Sequence, residues 1–349
     1  MGLECARVSS PEQEVLVTAS ALLFATCAAV VALAGIRLAR AGDELAELLG
    51  IPRLTVGMLL VAGATSLPEL VTDVTAALNH APDLAVGDLM GSSMANMAIL
   101  ALIDVMRRQR VWSHVEVGHA RVAAVAIALT ALATLGLLTP MGLTIGWVGV
   151  DTVLIAGAYV AAVQWIRRSP SSRFAEGSVL PRPTGWSRPE RGQVRPVMAQ
   201  LLAAAVVILI AAPLLATAAE EIADGFGLGQ TFVGTALLAM TTSLPELVAS
   251  LAAVRMGSFD LAVGNLFGSN AFNMAALFVV DLAYRPGPLL AAVSSAQAVG
   301  AVGAILLMAA ALAAIVHGRE TSAGRLEPDA VLVLLGYVGT LYAVWATQV

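Results

Sequence analysis

The sequence predicts an all-α polytopic membrane protein with ten transmembrane helices in two five-helix repeats of inverted topology. Three observations lead to this fold class. Of the 349 residues, 58% are hydrophobic and 12% are charged, which is about half the charged fraction of a soluble domain. Apolar runs long enough to cross about 30 Å of hydrocarbon recur along the whole chain and leave no room for a sizeable soluble domain. Two stretches of 39 residues are near-copies of each other.

The apolar runs define ten predicted spans and one long polar connection. The spans are 15–36, 54–78, 83–105, 118–138, 143–166, 196–217, 230–254, 259–282, 289–316 and 328–347. The connection, residues 168–195, is rich in Arg, Pro, Ser and Gly, a composition typical of a flexible linker. It separates a first five-helix repeat, 1–167, from a second one, 196–349.

The arginines predict the orientation of these spans. With both termini outside, 17 of the 19 basic residues fall on the inner side, and only Arg7 and Arg285 fall outside. This distribution follows the positive-inside rule and predicts a cytoplasmic linker and a multi-pass protein of the plasma (inner) membrane. Because five spans per half is an odd number, the second half enters the membrane from the opposite side. Inverted repeats of this kind are common among secondary transporters.

The two near-copies, 62–100 and 239–277, lie 177 positions apart and are identical at 21 of 39 positions. Each contains T-S-L-P-E and, further along, G-S-x-x-x-N. Pro68 and Pro245 cannot donate to a helix ladder, so each motif predicts a helix broken in mid-span. Ser66 and Glu69 have the spacing of a capping box, which the second copy repeats.

The repeated motifs place oxygen-bearing side chains inside apolar segments. Ser92 and Asn96 are four residues apart and share a helix face, as do Ser269 and Asn273. With the two motif glutamates they form a set of oxygen ligands without His or Cys, which suits Ca²⁺, Na⁺ or Mg²⁺ rather than Zn²⁺. One divalent cation neutralises two carboxylates, and so do two monovalent cations or two protons. This equivalence is a physical basis for ion exchange.

The motifs, present twice in inverted halves, resemble those of the cation/calcium exchanger superfamily, most closely the sodium/calcium exchanger membrane domain. The resemblance implies that the near-copies are alpha repeats, alpha-1 and alpha-2, which together form one ion site. It implies that Glu69 and Glu246 are the acidic ligands and that Ala62 and Ala239 contribute backbone carbonyls. The supporting ligands that it implies are Thr65, Ser66, Ser92, Asn96, Thr242, Ser243, Ser269 and Asn273.

Two positions bear on the identity of the transported ions. Asn273 stands where some sodium/calcium exchangers carry Asp, which leaves sodium dependence open. Asp88 stands where the second copy has Asn265 and lies one turn before Ser92, so it is a further candidate, as a protonatable or cation-attracting group near the site. The predicted function is secondary active antiport of Ca²⁺ for Na⁺ by alternating access, with Ca²⁺/H⁺ antiport as the alternative.

A cation channel and an intramembrane enzyme are the two other classes of protein that could carry buried glutamates in apolar helices. A cation channel could use the same glutamates, but an inverted repeat with a single site favours a carrier. An intramembrane enzyme needs a nucleophile–base pair or a metal triad, and the chain has no H-E-x-x-H motif. We therefore predict that the protein is not an enzyme and has no cofactor, because Ca²⁺ and Na⁺ or H⁺ are its substrates. The expected partners are the lipid bilayer and these ions, with no nucleic acid and no obligate protein partner.

Some matched residues are predicted to have structural roles. Asp104 and Asp281 occupy equivalent positions near span ends, which predicts solvated helix caps. Gly57 and Gly234 also match, and small residues at such positions allow helices to pack closely. Asp43 and Glu44 follow the first predicted span and are predicted to be loop charges.

Overall fold

The structure, a computed structural model, describes residues 11–106, 117–168, 191–225, 241–317 and 328–347, most of which are helical. The helices are α1 (Pro11–Leu49), α2 (Arg53–Thr65), α3 (Leu67–Leu78), α4 (Pro82–Met106), α5 (Val117–Leu138), α6 (Val150–Arg168), α7 (Arg191–Gly225), α8 (Leu244–Arg255), α9 (Phe259–Ala283), α10 (Leu289–Ala292), α11 (Gln297–His317) and α12 (Pro328–Ala346). A two-stranded antiparallel hairpin, β1 (Thr144–Ile145) and β2 (Val148–Gly149), precedes α6.

Within the described residues, eight helices are long and apolar enough to cross a membrane, and the bent pair α2–α3 makes a ninth. The chain is therefore a multi-pass membrane protein. The seventh predicted span, 230–254, is described only from Thr241 onward, and the linker prediction falls largely on residues outside the described part. The count of ten spans, the inverted halves and the orientation remain predictions.

Three predicted spans differ from the observed elements. The fifth, 143–166, begins with the β-hairpin, and its helix starts only at Val150. The ninth, 289–316, is divided into α10 and α11 by an extended residue, Val293, and a short turn. The first continues as α1 as far as Leu49, so the prediction that Asp43 and Glu44 lie in a loop is wrong. Asp43 instead forms an ion pair with Arg53 at 2.5 Å.

Helices α4 and α9 form the interior of the bundle. In each, 67% of the most apolar stretch is buried, against 11% for α12 at the periphery. Helix α9 packs against α2, α3, α4, α5, α6 and α8, and α1 packs along α7. Because α4 and α9 carry the two G-S-x-x-x-N motifs, the fold places both motifs in its centre.

Glycines bring the backbones of α2 and α9 into direct contact. A Cβ atom added to Gly268 would lie 2.6 Å from Cα of Met58, and one added to Gly264 would lie 2.6 Å from the carbonyl oxygen of Leu54. A Cβ on Gly57 would lie 2.5 Å from the carbonyl oxygen of Leu261. The packing role predicted for Gly57 is thereby confirmed, while Gly234 lies outside the described residues.

Replacing Gly268 by Ala is expected to destabilise the protein, because the new methyl group meets backbone atoms that cannot move independently. Overpacking of this kind costs about 1–3 kcal/mol. The measurement is the apparent unfolding temperature of the purified protein in detergent. Gly339→Ala is the matched control, since a Cβ there has no heavy atom within 4 Å; an equal unfolding temperature for both variants would contradict the close contact of α2 and α9.

Asp281 holds the hairpin and α10 against the end of α9. It is fully buried and accepts hydrogen bonds from the backbone N–H groups of Gly149 (2.8 Å) and Leu289 (2.7 Å) and from the hydroxyl of Thr152 (2.6 Å). The prediction of a solvated cap is wrong, because three donors from other elements converge on this carboxylate. Asp104, its equivalent, is also buried.

Candidate cation site

The first T-S-L-P-E motif breaks the span formed by α2 and α3. The two helices meet at Ser66, which has φ −87° and ψ 0°, and their axes differ by 45°. Pro68 has no N–H to donate to the carbonyl four residues earlier, so the ladder is interrupted as predicted. In the second half, Ser243 has nearly the same backbone angles, φ −83° and ψ 5°, immediately before α8.

The predicted capping boxes are not formed. Neither Ser66 nor Ser243 makes a side-chain hydrogen bond to the first turn of the helix that follows it. Each hydroxyl instead donates to a glutamate of the opposite repeat, Ser66 to Oε1 of Glu246 at 3.1 Å and Ser243 to Oε1 of Glu69 at 3.4 Å. A hydroxyl gains more from a carboxylate acceptor than from a neutral one, which explains why the serines turn away from their own helices.

Each glutamate also contacts the serine of its own repeat. Ser92 on α4 donates to Oε1 of Glu69 at 2.6 Å, and Ser269 on α9 donates to Oε1 of Glu246 at 3.5 Å. The hydroxyls of Ser92 and Ser243 lie 3.3 Å apart. Each carboxylate therefore receives one serine from each half, and the two carboxylates interact electrostatically with each other.

Two asparagines complete this arrangement. The amide nitrogen of Asn96 donates to Oδ1 of Asn270 at 2.9 Å, and that of Asn273 donates to the hydroxyl of Ser92 at 3.4 Å. With their nitrogens so engaged, the two Oδ1 atoms remain as acceptors. We call the following residues the oxygen cluster: Ser66, Glu69, Ser92, Asn96, Ser243, Glu246, Ser269 and Asn273.

Four oxygens of the oxygen cluster are buried and receive no hydrogen bond from the described residues. They are Oε2 of Glu69, Oε2 of Glu246, Oδ1 of Asn96 and Oδ1 of Asn273. Buried acceptors normally have a partner, and buried carboxylates are normally paired with a cation. Among the described residues, neither glutamate forms an ion pair with a basic side chain. Equivalent positions of the two repeats thus present four acceptors of the kind that bind a hard cation.

The other predicted ligands lie beside the cluster. The hydroxyl of Thr65 lies 3.1 Å from the carbonyl of Val61, 3.2 Å from that of Ala62 and 3.3 Å from Oδ1 of Asn265. The carbonyl of Ala62 also accepts the backbone N–H of Ser66 at 3.0 Å. Thr242 is buried and has a polar partner. Ala239 lies outside the described residues.

Asp88 is buried on α4, but within the described residues it makes no hydrogen bond to the oxygen cluster. Its carboxyl group faces Asp73 of α3. Asp73, Asn270 and Ser250 were not among the predicted site residues, because most of those residues were chosen for their identity in the two repeats. All three are polar residues at positions where the repeats differ, and this was the signal that could have found them.

The structure thus defines a polytopic membrane protein with an acidic, oxygen-lined cluster formed by residues at the starts of α3 and α8 and on α4 and α9. Comparison with known proteins agrees with this class. The sequence profile of the family described as "Sodium/calcium exchanger protein" matches residues 19–165 and 197–346. Because this match covers most of the chain, the protein belongs to the sodium/calcium exchanger family.

Individual relatives are more distant. The chain is 28% identical to the "Putative antiporter CaxA" of Alkalimonas amylolytica over 87% of this chain and 92% of that protein. It is 24% identical to the "Sodium/calcium exchanger MaX1" of Methanosarcina acetivorans over 67% and 74% of the two chains. The solved structure of the sodium-calcium exchanger NCX_Mj matches with a TM-score of 0.70 at 18% identity, over 93% of this chain and 99% of that chain. This last likeness shows a shared fold.

Proposed function

We propose that the protein exchanges Ca²⁺ for Na⁺ across the plasma (inner) membrane by alternating access to the oxygen cluster. The observation that carries the proposal is the set of four buried oxygens that have no donor among the described residues and that the two repeats contribute in equivalent pairs. A carrier needs one site that can face either side of the membrane. A cluster built equally from two inverted halves meets this requirement, because each half provides the same groups toward its own side.

The chemistry of the cluster favours Ca²⁺ as the divalent substrate. Ca²⁺ takes six to eight oxygens in flexible geometry, and the two carboxylates and two amide oxygens supply most of this number, with hydroxyls for the remainder. Among the described residues no three His, Cys, Asp or Glu side chains are close enough to hold a metal ion by themselves. The neutral Ser and Asn oxygens are therefore required as ligands. Mg²⁺ fits less well, because it demands near-ideal octahedral geometry and keeps several waters.

The hydrogen bonds of the cluster suggest how cation entry and conformational change are linked. Ser66 donates to Glu246 and Ser243 donates to Glu69. These two hydrogen bonds must break or rearrange when a cation binds the same carboxylate oxygens. In the cation-free protein these bonds connect the two halves, whereas a bound cation connects them through its own coordination. In the cation-free protein the serine hydroxyls hydrogen-bond the glutamates and so lower the cost of burying their charges, and a bound cation removes that cost by balancing them.

We propose Na⁺ as the counter-ion because the cluster provides several neutral hydroxyl and amide oxygens, which suit a monovalent hard cation. The name of the relative from Methanosarcina acetivorans is consistent with this choice. Protons are the second candidate counter-ion. The specific observation in their favour is the second pair of buried carboxyl groups, Asp73 and Asp88, beside the cluster.

A channel and an enzyme are the rival classes. The named relatives are exchangers or antiporters, and the symmetric roles of the two glutamates suit one shared ion better than an acid and a base with divided labour. No cofactor, nucleic acid or obligate protein partner is required by this mechanism. The lipid bilayer and the transported ions are its proposed partners.

Ion flux in proteoliposomes tests the proposal. Ca²⁺ uptake is measured with a fluorescent indicator under an outward Na⁺ gradient, then under an outward proton gradient, and then with neither. We expect saturable uptake that requires the Na⁺ gradient. Uptake driven only by the proton gradient would identify the alternative antiport, and uptake that needs no counter-ion and does not saturate would identify a channel.

A further inference from the structure

A second pair of carboxyl groups lies in the first repeat, outside the oxygen cluster. Asp73 on α3 and Asp88 on α4 are 0% and 5% exposed, respectively. Their side chains lie within hydrogen-bonding reach of each other. A hydrogen bond between two carboxyl groups requires a proton on one of them, because ionised carboxylates are acceptors only.

Within the described residues, three of the four oxygens of this pair have no donor. Both oxygens of Asp73 and Oδ2 of Asp88 are buried without a hydrogen-bond partner. Within the described part of the chain, no arginine, histidine or tyrosine interacts with the pair, and Glu69 is the only other acid that does. The remaining described acidic side chains on the helices packed around it make no such interaction; these are Asp83, Asp104, Glu221, Glu246, Asp260, Asp281 and Asp329. The two aspartates therefore face each other with no neutralising group from the described part of the chain.

The second repeat shows what this arrangement requires. The positions equivalent to Asp73 and Asp88, 177 residues later, are Ser250 and Asn265. There the amide of Asn265 donates to the hydroxyl of Ser250 at 2.9 Å. The same pair of positions is thus joined by a neutral hydrogen bond in one repeat and occupied by two acids in the other. Only an added proton allows the aspartates to make the equivalent bond.

We propose that Asp73 and Asp88 bind one proton between them and form a second ion-binding site beside the oxygen cluster. Two like charges in contact in a buried site cannot both ionise without a large electrostatic penalty, and sharing one proton removes it. A proton fits better than Na⁺, because a proton needs two oxygens and Na⁺ needs several more. The pair itself contributes only carboxyl oxygens.

The proton site is coupled to the transport site through Glu69, which interacts electrostatically with both aspartates. This consequence rests on the proposed function. A divalent cation at Glu69 favours the ionised pair and so promotes release of the shared proton, and protonation of the pair in turn weakens binding of that cation. Such linkage is reciprocal. Ca²⁺ binding is then accompanied by release of a proton that does not come from the oxygen cluster.

Infrared spectroscopy of the purified, cation-free protein tests the proton site without any measurement of transport. We expect the wild type to show the C=O absorption of a protonated carboxylic acid that the double variant Asp73→Ser/Asp88→Asn lacks. This variant reproduces the pair found in the second repeat, and Asp88→Asn alone is expected to give the same loss. Asp329→Asn, at the start of α12, is the matched control and retains the band. Identical spectra for wild type and both variants would overturn the proposal.

Calorimetric Ca²⁺ titrations in two buffers of different ionisation enthalpy test the coupling. The wild type is expected to release one more proton per bound Ca²⁺ than the double variant. As the solution is acidified, the Ca²⁺ affinity of the wild type should fall more steeply than that of the double variant, by up to about tenfold more for each pH unit. Equal proton release in the two proteins would refute the coupling. Absence of Ca²⁺ binding in the wild type would count against the proposed transport function, while the infrared result would still decide the proton site.

Discussion

Replacing either Glu69 or Glu246 by Gln is expected to abolish Ca²⁺ exchange in proteoliposomes. In the proposed mechanism each glutamate contributes one of the two negative charges that balance the cation, and both side chains are fully buried. Loss of one partner from a buried charged contact costs about 2–5 kcal/mol, which corresponds to a decrease in affinity of roughly 30-fold to several thousandfold. Because the two repeats surround the site in the same way, the two variants should be impaired to a similar degree. The measurement is the initial rate of Ca²⁺ uptake under a Na⁺ gradient.

The matched control for these variants is Glu44→Gln, because Glu44 is an exposed glutamate on α1. It removes the same charge from the protein without touching the oxygen cluster, and its uptake rate should equal that of the wild type. Strong impairment by only one of the two cluster variants would show that the glutamates do not serve one shared ion. Wild-type uptake by both would remove the oxygen cluster from the transport pathway.

Replacing Asp281 by Asn is expected to lower stability strongly and leave the ion preference unchanged. Asp281 accepts hydrogen bonds from three groups on other elements, and the amide has only one acceptor oxygen to offer them. Each hydrogen bond to a charged group contributes about 1.5–3 kcal/mol, so the loss should exceed about 2 kcal/mol. We expect the apparent unfolding temperature in detergent to fall by several degrees.

Asp329→Asn provides the comparison for this prediction, because Asp329 is a partly exposed acid in the first turn of α12. An acid at a helix start contributes about 0.3–1 kcal/mol, so its removal should have a small effect. If Asp281→Asn unfolded at the same temperature as Asp329→Asn, the converging hydrogen bonds would not stabilise the hairpin and α10. A change in the Ca²⁺ dependence of uptake would contradict a purely structural role.

The sequence predicted the membrane class and the broken span at Ser66, because apolar run length and proline act locally. Elements whose form depends on distant partners were not predicted. The hairpin before α6 is held by Asp281, which is 132 residues away from Gly149 in sequence. The first helix extends beyond its predicted span to Leu49 and carries Asp43, which pairs with Arg53 after the end of the helix. Neither contact leaves a signal in the local pattern of residues.

The residues of the oxygen cluster were found by repetition, but their hydrogen bonds were not. The spacing of Ser66 and Glu69 predicted a contact within one helix, whereas each residue bonds to the opposite repeat. The spacing of residues along the chain cannot reveal that the hydroxyl of Ser66 has a stronger acceptor in Glu246, which lies 180 residues away in sequence. Selection by identity also passed over Asp73, since its counterpart in the second repeat is Ser250, so Asp88 was predicted without the acid that it faces.

Equilibrium Ca²⁺ binding to the purified protein is the most direct test of the central claim, that Glu69 and Glu246 hold one ion together. Isothermal titration of the wild type is expected to give one Ca²⁺ per chain, displaced by excess Na⁺. Glu69→Gln and Glu246→Gln should each lose that ion entirely at concentrations that saturate the wild type. Two Ca²⁺ ions per chain, with each variant losing only one of them, would show two separate sites and contradict the claim.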